Sequence, residues 1–500
     1  MVAYLSPGVY VEEVKSGVSP IAGVGTSTAG FIGVISSGTG TTSTQTTTIG
    51  SSTAPVSLND TSGNILTGTG TKKSFTFVIN EGETFVADEG SYNFYYTIEG
   101  EDTEAVVTEA PKVGTTASTV DVKLETGEGS AIPNNAPIKV TYQVQTSVIN
   151  SDNTYTIPGE QGETDFTSQA AGEVVLCTNF TEFKNAFGDF SQLTGQSILA
   201  HAVYGFFRNG GTRCYVVWVA TKGNIESALE SFEAIDEISL VAAPGVTESD
   251  YLSMIINHCG QTTQDRFAIL DSTEEADITT LKPGENGLPG TSNYSAYYFP
   301  WIQVYDPATS ARKYIPPSGH IAGVYARVDT NRGVYKAPAN ETVLGALGLK
   351  YNISKRKQDG LNPQGVNCIR SLNGNILVWG ARTWGGDSNG EFKYINIRRL
   401  FNFIRESIDE GTQWTVFEPN TPELWARIRR NVTAFLTTVW QSGALFGATP
   451  EQAFYVKCDE ENNPPNVREL GQVVIEIGIA VVKPAEFVIF RISQWNQSDS

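Results

Sequence analysis

Both ends of the chain read as β-strands with no partner strand beside them in sequence. Leu5-Ser-Pro-Gly-Val-Tyr-Val-Glu-Glu-Val14 lies near the start and Ala485-Glu-Phe-Val-Ile-Phe-Arg-Ile-Ser-Gln-Trp495 near the end. Runs this rich in β-branched and aromatic residues favour strands, and an unpaired strand exposes a row of backbone donors and acceptors. Terminal segments fray unless something ties them down. Two terminal strands must therefore pair, and one that pairs outside its own domain pairs with a neighbour. The pattern predicts an assembly protein before an enzyme. Val9, Tyr10, Val11 and Val14 would form one inter-subunit arm, and Val488, Ile489, Phe490 and Ile492 the other.

Five hundred residues exceed what one hydrophobic core supports, so three or more domains are expected. The alternation patterns divide them. From Thr46 to Asp165 the runs Ser74–Ile79, Asn93–Ile98, Thr119–Leu124 and Ile138–Val144 alternate with period two between Asn, Gly and Asp turns. That segment predicts an inserted antiparallel β domain, a small sandwich or barrel. It carries 5 lysines, no arginine and 17 acidic residues, most of the whole chain's net charge of −20. A face of that sign points to solvent and makes nucleic acid an improbable direct partner.

From Phe166 to Lys350 strands and helices alternate. Val174–Cys177, Cys214–Val219, Ile238–Ala243 and Arg266–Asp271 read as strands. Helices read at Thr181–Phe187, with Thr181 as cap, at Ile225–Ile235 and at Ser249–Cys259. Residues 21–45 join the same α/β domain. The last 150 residues read as α+β. Helical spacing runs from Tyr394 to Ile408 and ends at Gly411, and Thr421-Pro422 opens a second helix that Gly443 stops. Strands are expected at Gly374–Arg382, Phe454–Cys458, Val473–Val482 and Phe487–Ile492. The whole is a multidomain α+β chain: arm 1–20, α/β domain 21–45 plus 166–350, insertion 46–165, C-terminal domain 351–484 and arm 485–500.

The residues carry no reaction centre. The three histidines, His201, His258 and the loop residue His320, lack a second ligand at metal spacing. The five cysteines lie far apart without a CxxC pair, which predicts scattered buried thiols in a reducing compartment. No GxSxG elbow or phosphate-binding loop occurs. Glu12-Glu13 and Asp409-Glu410 could serve acid–base chemistry, but they sit on an edge-strand candidate and at a helix end, where charge blocks wrong pairing. No catalytic residue, cofactor or metal is expected. No apolar run reaches the roughly 18 residues that span a bilayer, and the N-terminus lacks a signal-peptide pattern, so no membrane partner is expected and synthesis in the cytoplasm is. A basic helix face remains: Arg427, Arg429 and Arg430 on the second C-terminal helix, with Arg398, Arg399 and Arg405 on the first. Such a face is either solvated or a docking surface for an acidic partner.

Several segments resemble the tail sheath proteins of contractile phages and related injection machines. They are Ser6-Pro-Gly-Val-Tyr-Val-Glu-Glu13, Ile315-Pro-Pro-Ser-Gly-His-Ile-Ala-Gly323, Leu361-Asn-Pro-Gln-Gly-Val-Asn-Cys-Ile-Arg370, Val378-Trp-Gly-Ala-Arg-Thr-Trp384, Tyr394-Ile-Asn-Ile-Arg-Arg-Leu400, Val416-Phe-Glu-Pro-Asn420 and Lys483-Pro-Ala-Glu-Phe487. The resemblance covers residues 1–35 and 166–495 and omits the insertion. It implies a conserved C-terminal domain with strand-exchanging termini and a homo-oligomer of hexameric rings stacked helically around an inner tail tube protein. It also implies baseplate and tail terminator partners, and contraction that drives the tube through an envelope. The implied location is the virion tail, assembled in the host cytoplasm. The arginines above then become tube-attachment candidates. A headless tailocin or bacterial contractile injection particle is an alternative, and a glycan-binding or hydrolytic insertion a remote one.

Overall fold

The computed structural model describes residues 20–35, 169–191 and 194–492, together with strand segments inside 43–165. A nine-stranded sheet forms its centre. In spatial order the strands are Val175–Cys177, Cys214–Val219, Ala29–Val34, Leu240–Ala242, Phe267–Asp271, Ser295–Phe299, Val366–Leu372, Asn375–Val378 and Glu341–Thr342. The six from Cys214–Val219 to Val366–Leu372 run parallel, and the flanking strands are antiparallel. Parallel strands need crossovers that cover both faces, which explains why Ala29–Val34 and Phe267–Asp271 are buried almost throughout rather than at alternate positions.

The two sheet faces bury different partners. Phe31, Val216, Ile269 and Tyr298 point to the side covered by helices Thr194–Arg208 and Ser318–Arg332. Their sequence neighbours Ile32, Val217, Leu270 and Tyr297 point to the side covered by Ile225–Glu233 and Ser249–Asn257. This is the period-two alternation of a strand with a core on each face. The sheet also crosses the boundary expected at residues 350/351, because Val366–Leu372 and Asn375–Val378 complete it. A turn with positive φ at Asn373 and Gly374 joins that hairpin, the conformation two-residue hairpin loops require.

Two local expectations are corrected. Asn179, not Thr181, caps the first helix: its side chain accepts from Glu182 N at 3.0 Å, and Glu182 accepts from Thr178 N at 2.7 Å. These reciprocal bonds satisfy two backbone donors at the helix start. His320 lies in the first turn of the Ser318–Arg332 helix and not in a loop. That helix packs so closely on Thr194–Arg208 that a Cβ on Gly319 would stand 2.4 Å from Ala202, and one on Gly323 2.4 Å from the Phe206 carbonyl.

Among the described strand segments inside 43–165 all pairings are antiparallel. The expected strands occur at Ser74–Val78, Tyr92–Ile98, Thr119–Glu125 and Ile138–Thr146, spread over two of three small sheets. The segment leaves and rejoins the central sheet at one place. Ile35 N donates to Val219 O at 2.9 Å, while Gly172 N donates to Trp218 O at 2.9 Å and Trp218 Nε1 to Gln169 O at 3.0 Å.

Beyond the central sheet, helices Ile395–Thr412 and Pro422–Gln441 form a hairpin with its own core of Leu400, Ile404, Ile428, Val432, Phe435 and Leu436. Ile21 joins this core and lies against Gly411, and Val24 N donates to Ser407 Oγ at 3.1 Å. The N-terminal stretch thus enters along the C-terminal helix, and the arm residues Val9, Tyr10, Val11 and Val14 lie outside the described residues. No helix among the described residues is long and apolar enough to cross a membrane.

Candidate assembly site

Three features of the C-terminal region bear on assembly: an incomplete sheet, an unpaired tail, and the arginine-bearing helices. The sheet has two strands, Phe454–Lys457 and Glu476–Ile479, paired antiparallel in the register Phe454 to Ile479 and Lys457 to Glu476. One face rests on the helix hairpin through Phe454, Val456, Ile477 and Ile479. Among the described residues the pair is continued only by the antiparallel bridge of Leu445 with Val481; two strands alone are marginal in water, and an open backbone edge can accept an added strand.

The tail leaves apolar residues uncovered. Phe487, Val488, Ile489, Phe490 and Ile492 are 70%, 69%, 79%, 84% and 95% exposed, and Val488 to Ile492 form no sheet pairing within the protomer. The strand expected at Phe487–Ile492 is therefore not part of the isolated subunit. Its root is fixed by Glu486. Arg382 donates to both carboxylate oxygens of Glu486 at 2.8 Å, Asn362 Nδ2 donates at 2.6 Å and Tyr394 OH at 2.8 Å. Charge-assisted bidentate pairs combine strength with fixed direction.

Burial alone would raise the Glu486 carboxyl, but the bonds from Arg382, Asn362 and Tyr394 outweigh it and hold the group below the ordinary glutamate value. A depressed carboxyl stabilises in full above its unfolded value and is lost as pH falls through the folded one. The facing charged groups are Arg382 and, beyond it, Asp387. A fluorophore on Val488→Cys should report a restrained tail at neutral pH and a free one well below pH 4.5. Glu486→Ala should free the tail at every pH. The native cysteines are buried and will not compete for the label. A tail equally mobile in both proteins at neutral pH would dismiss the latch.

The arginines divide by burial. Arg399 is 4% exposed and pairs with Asp329 at 2.6 Å, while Arg398 is 8% exposed and lies 3.6 Å from the Phe392 ring centroid and 4.4 Å from that of Tyr294. Both are internal, which corrects the expectation of an outward basic face on the first helix. Burial depresses Arg398, but its ring contacts explain how a guanidinium is tolerated there. Arg405 is exposed and donates to Gln264 at 3.1 Å. On the second helix Arg427 stacks over Trp414 at 4.5 Å with Glu418 at 3.8 Å, Arg429 donates to Cys458 O at 3.2 Å, and Arg430 is exposed. Sequence spacing separated apolar from polar stripes but not a buried arginine from a solvated one.

Buried polar groups elsewhere are architectural. Burial pushes Asp271 up to about 7, against bonds it accepts from Ser318 Oγ at 2.6 Å, Ser318 N at 2.9 Å and Gly245 N at 3.3 Å. It thereby satisfies the start of the Ser318–Arg332 helix. Among the described residues no group of three or more His, Cys, Asp and Glu side chains could hold a metal.

Two family profiles match: the phage tail sheath protein central domain over residues 219–384 and the phage tail sheath C-terminal domain over 387–494. Together they take in more than half of the chain. The chain belongs to the phage tail sheath family. Among curated relatives, the tail sheath protein of Vibrio phage KVP40 is 27% identical over 190 residues, 37% of this chain and 27% of that protein. The tail sheath protein of Burkholderia phage BcepMu is 28% identical over 219 residues, 41% of this chain and 45% of that protein. This sheath-family chain thus spans less than half the length of either relative. The helical sheath of the anti-feeding prophage in its contracted state aligns with a TM-score of 0.56 at 30% identity, over 65% of this chain and 88% of that one.

Proposed function

We propose that the protein is a structural sheath subunit that polymerises as stacked hexameric rings around an inner tube and contracts to drive that tube through a cell envelope. The family match sets the class, and the apolar tail left unpaired beside an unfinished sheet carries the mechanism. In this reading each tail adds to the Phe454–Lys457/Glu476–Ile479 sheet of a neighbour, as does the arm of residues 1–20. Main-chain hydrogen bonds would link the subunits into a mesh that survives rotation, because only the short links between each arm's root and its strand need to bend. No catalysis is required of such a subunit. Electron microscopy of the purified protein tests the class: regular sheath tubes are expected, and a protein that stays monomeric at all concentrations and salts would sink it.

The grip on the tube would be electrostatic, through Arg427, Arg429, Arg430 and Arg405. Charged rim contacts form quickly and separate without exposing apolar surface. The triple change Arg427→Glu, Arg429→Glu, Arg430→Glu should abolish assembly on tubes while leaving tube-free sheath intact. Equal coating by mutant and wild type would show that this face is only solvated.

A headless tailocin or injection particle is a second reading of the same machine, favoured by the match to the anti-feeding prophage sheath. Neighbouring capsid and terminase genes would decide for a phage with genome ejection, and their absence for the particle.

A further inference from the structure

The helix hairpin carries an unusual feature at each end. At its turn, Val416 is 60% and Phe417 102% exposed, and Phe417 holds φ at +67°. A left-handed conformation costs an aromatic residue on the order of 1 kcal/mol, and Phe417 recovers none of it by burial inside the subunit. Such strain persists where a function selects it. The exposed acidic residues Asp409, Glu410 and Glu418 lie within eight positions of this knob in the chain, Glu418 paired with Arg427 at 3.8 Å.

At the other end lies a groove of about 1320 Å³ lined largely by apolar atoms, with Tyr335, Trp379, Tyr394 and Ala485 among its walls. Its exposed lining residues include Arg332, Lys355 and Lys483, none in an ion pair among the described residues, against the acids Asp359 and Asp387, the latter paired with Arg382 and Lys393. Tyr394 immediately precedes the Ile395–Thr412 helix, and Phe417 follows it. Eighteen residues at 1.5 Å rise therefore put knob and groove about 27 Å apart at opposite poles.

We propose that the Phe417 knob of one subunit seats in this groove of a second copy. This rests on the polymeric-sheath reading and names a contact separate from arm exchange. An aromatic tip with acidic neighbours in the chain meets an apolar hollow with unpaired basic residues in its lining, so shape and charge agree. Because the surfaces occupy opposite ends of one element, the contact is head-to-tail, the kind that builds rings or open helices instead of closed dimers.

The test uses the full chain. Phe417→Cys combined with Ala485→Cys should yield a ladder of disulfide-linked oligomers on mild oxidation, since the native cysteines are buried. Phe417→Gly should raise the critical concentration for polymerisation about tenfold through loss of a buried aromatic contact. The same change should raise the melting temperature of the monomer, because glycine relieves the left-handed backbone. The reversal Arg332→Glu, Lys355→Glu, Lys483→Glu should impair assembly and be rescued by Asp409→Lys, Glu410→Lys, Glu418→Lys. Normal tubes without cross-links would overturn the knob while leaving the sheath reading intact, as would cross-linking of the groove cysteine to a Tyr10→Cys arm in its place. Absence of any tubes from wild type would fail the sheath reading itself.

Discussion

Deleting residues 488–500 is expected to leave a folded subunit that forms no tubes at any accessible concentration. Residues 488–492 contribute nothing to the described cores, and Val488, Ile489, Phe490 and Ile492 are all at least 69% exposed. Keeping Glu486 preserves its bonds to Arg382, so the truncation does not strand a buried guanidinium. Stability should stay within about 0.5 kcal/mol of wild type, as for other surface changes. Assembly, in contrast, would lose a whole row of main-chain hydrogen bonds and the burial of several apolar side chains per contact. Urea titration and electron microscopy on the same preparations separate the two quantities. Deleting residues 1–17 should give the same pair of results if both arms exchange. A truncated chain that still builds ordinary tubes would rule out exchange for that arm.

The largest effect on stability is expected at Asp329. This carboxylate is 4% exposed, receives two bonds from Arg399 at 2.6 and 3.0 Å, and accepts from Thr26 Oγ1 at 2.7 Å. Arg399 also donates to Thr26 O at 2.7 Å and lies 4.8 Å from the Tyr325 ring centroid. One ion pair therefore joins the entering N-terminal stretch, a helix of the central layer and the first C-terminal helix. Asp329→Ala would leave the guanidinium buried without its counter-charge, at a cost of about 3–5 kcal/mol. Replacing both partners, Asp329→Leu with Arg399→Met, should recover most of that loss, because no unpaired charge then remains. Equilibrium denaturation of the three proteins distinguishes the cases. A single mutant within about 1 kcal/mol of wild type would mean that water reaches the site.

What the sequence revealed followed the strength of local periodicity. Cys214–Val219 is a wholly apolar run and was legible as a strand to the residue, and the stripe Ile428, Val432, Phe435, Leu436 and Val439 marked the second C-terminal helix. The Ser318–Arg332 helix was hidden because Pro316-Pro-Ser-Gly-His320 has turn composition. Its glycines serve close helix packing, a tertiary reason that no window of sequence shows. Val366–Leu372 was missed as a strand for a related cause, since Asn367 and Arg370 interrupt its pattern while bonding to Arg382 and Gln358. The tail has the composition of a strand, but within the subunit residues 487–492 form none, because among the described residues no partner strand lies along them. Phe417 and its groove were invisible in principle, because each depends on what the rest of the chain leaves uncovered.

The joint at which the inserted segment leaves the central sheet has a consequence for what such a subunit can carry. Ile35 and Gly172 both return to the adjacent residues Trp218 and Val219, so the sheet is closed at that point whatever lies between. Lengthening a flexible excursion with fixed, neighbouring ends costs only about 0.6 kcal/mol per doubling. The position is therefore a socket. A fluorescent protein or an epitope could be spliced there in place of the present β module, and every repeat of a polymer would then display one copy.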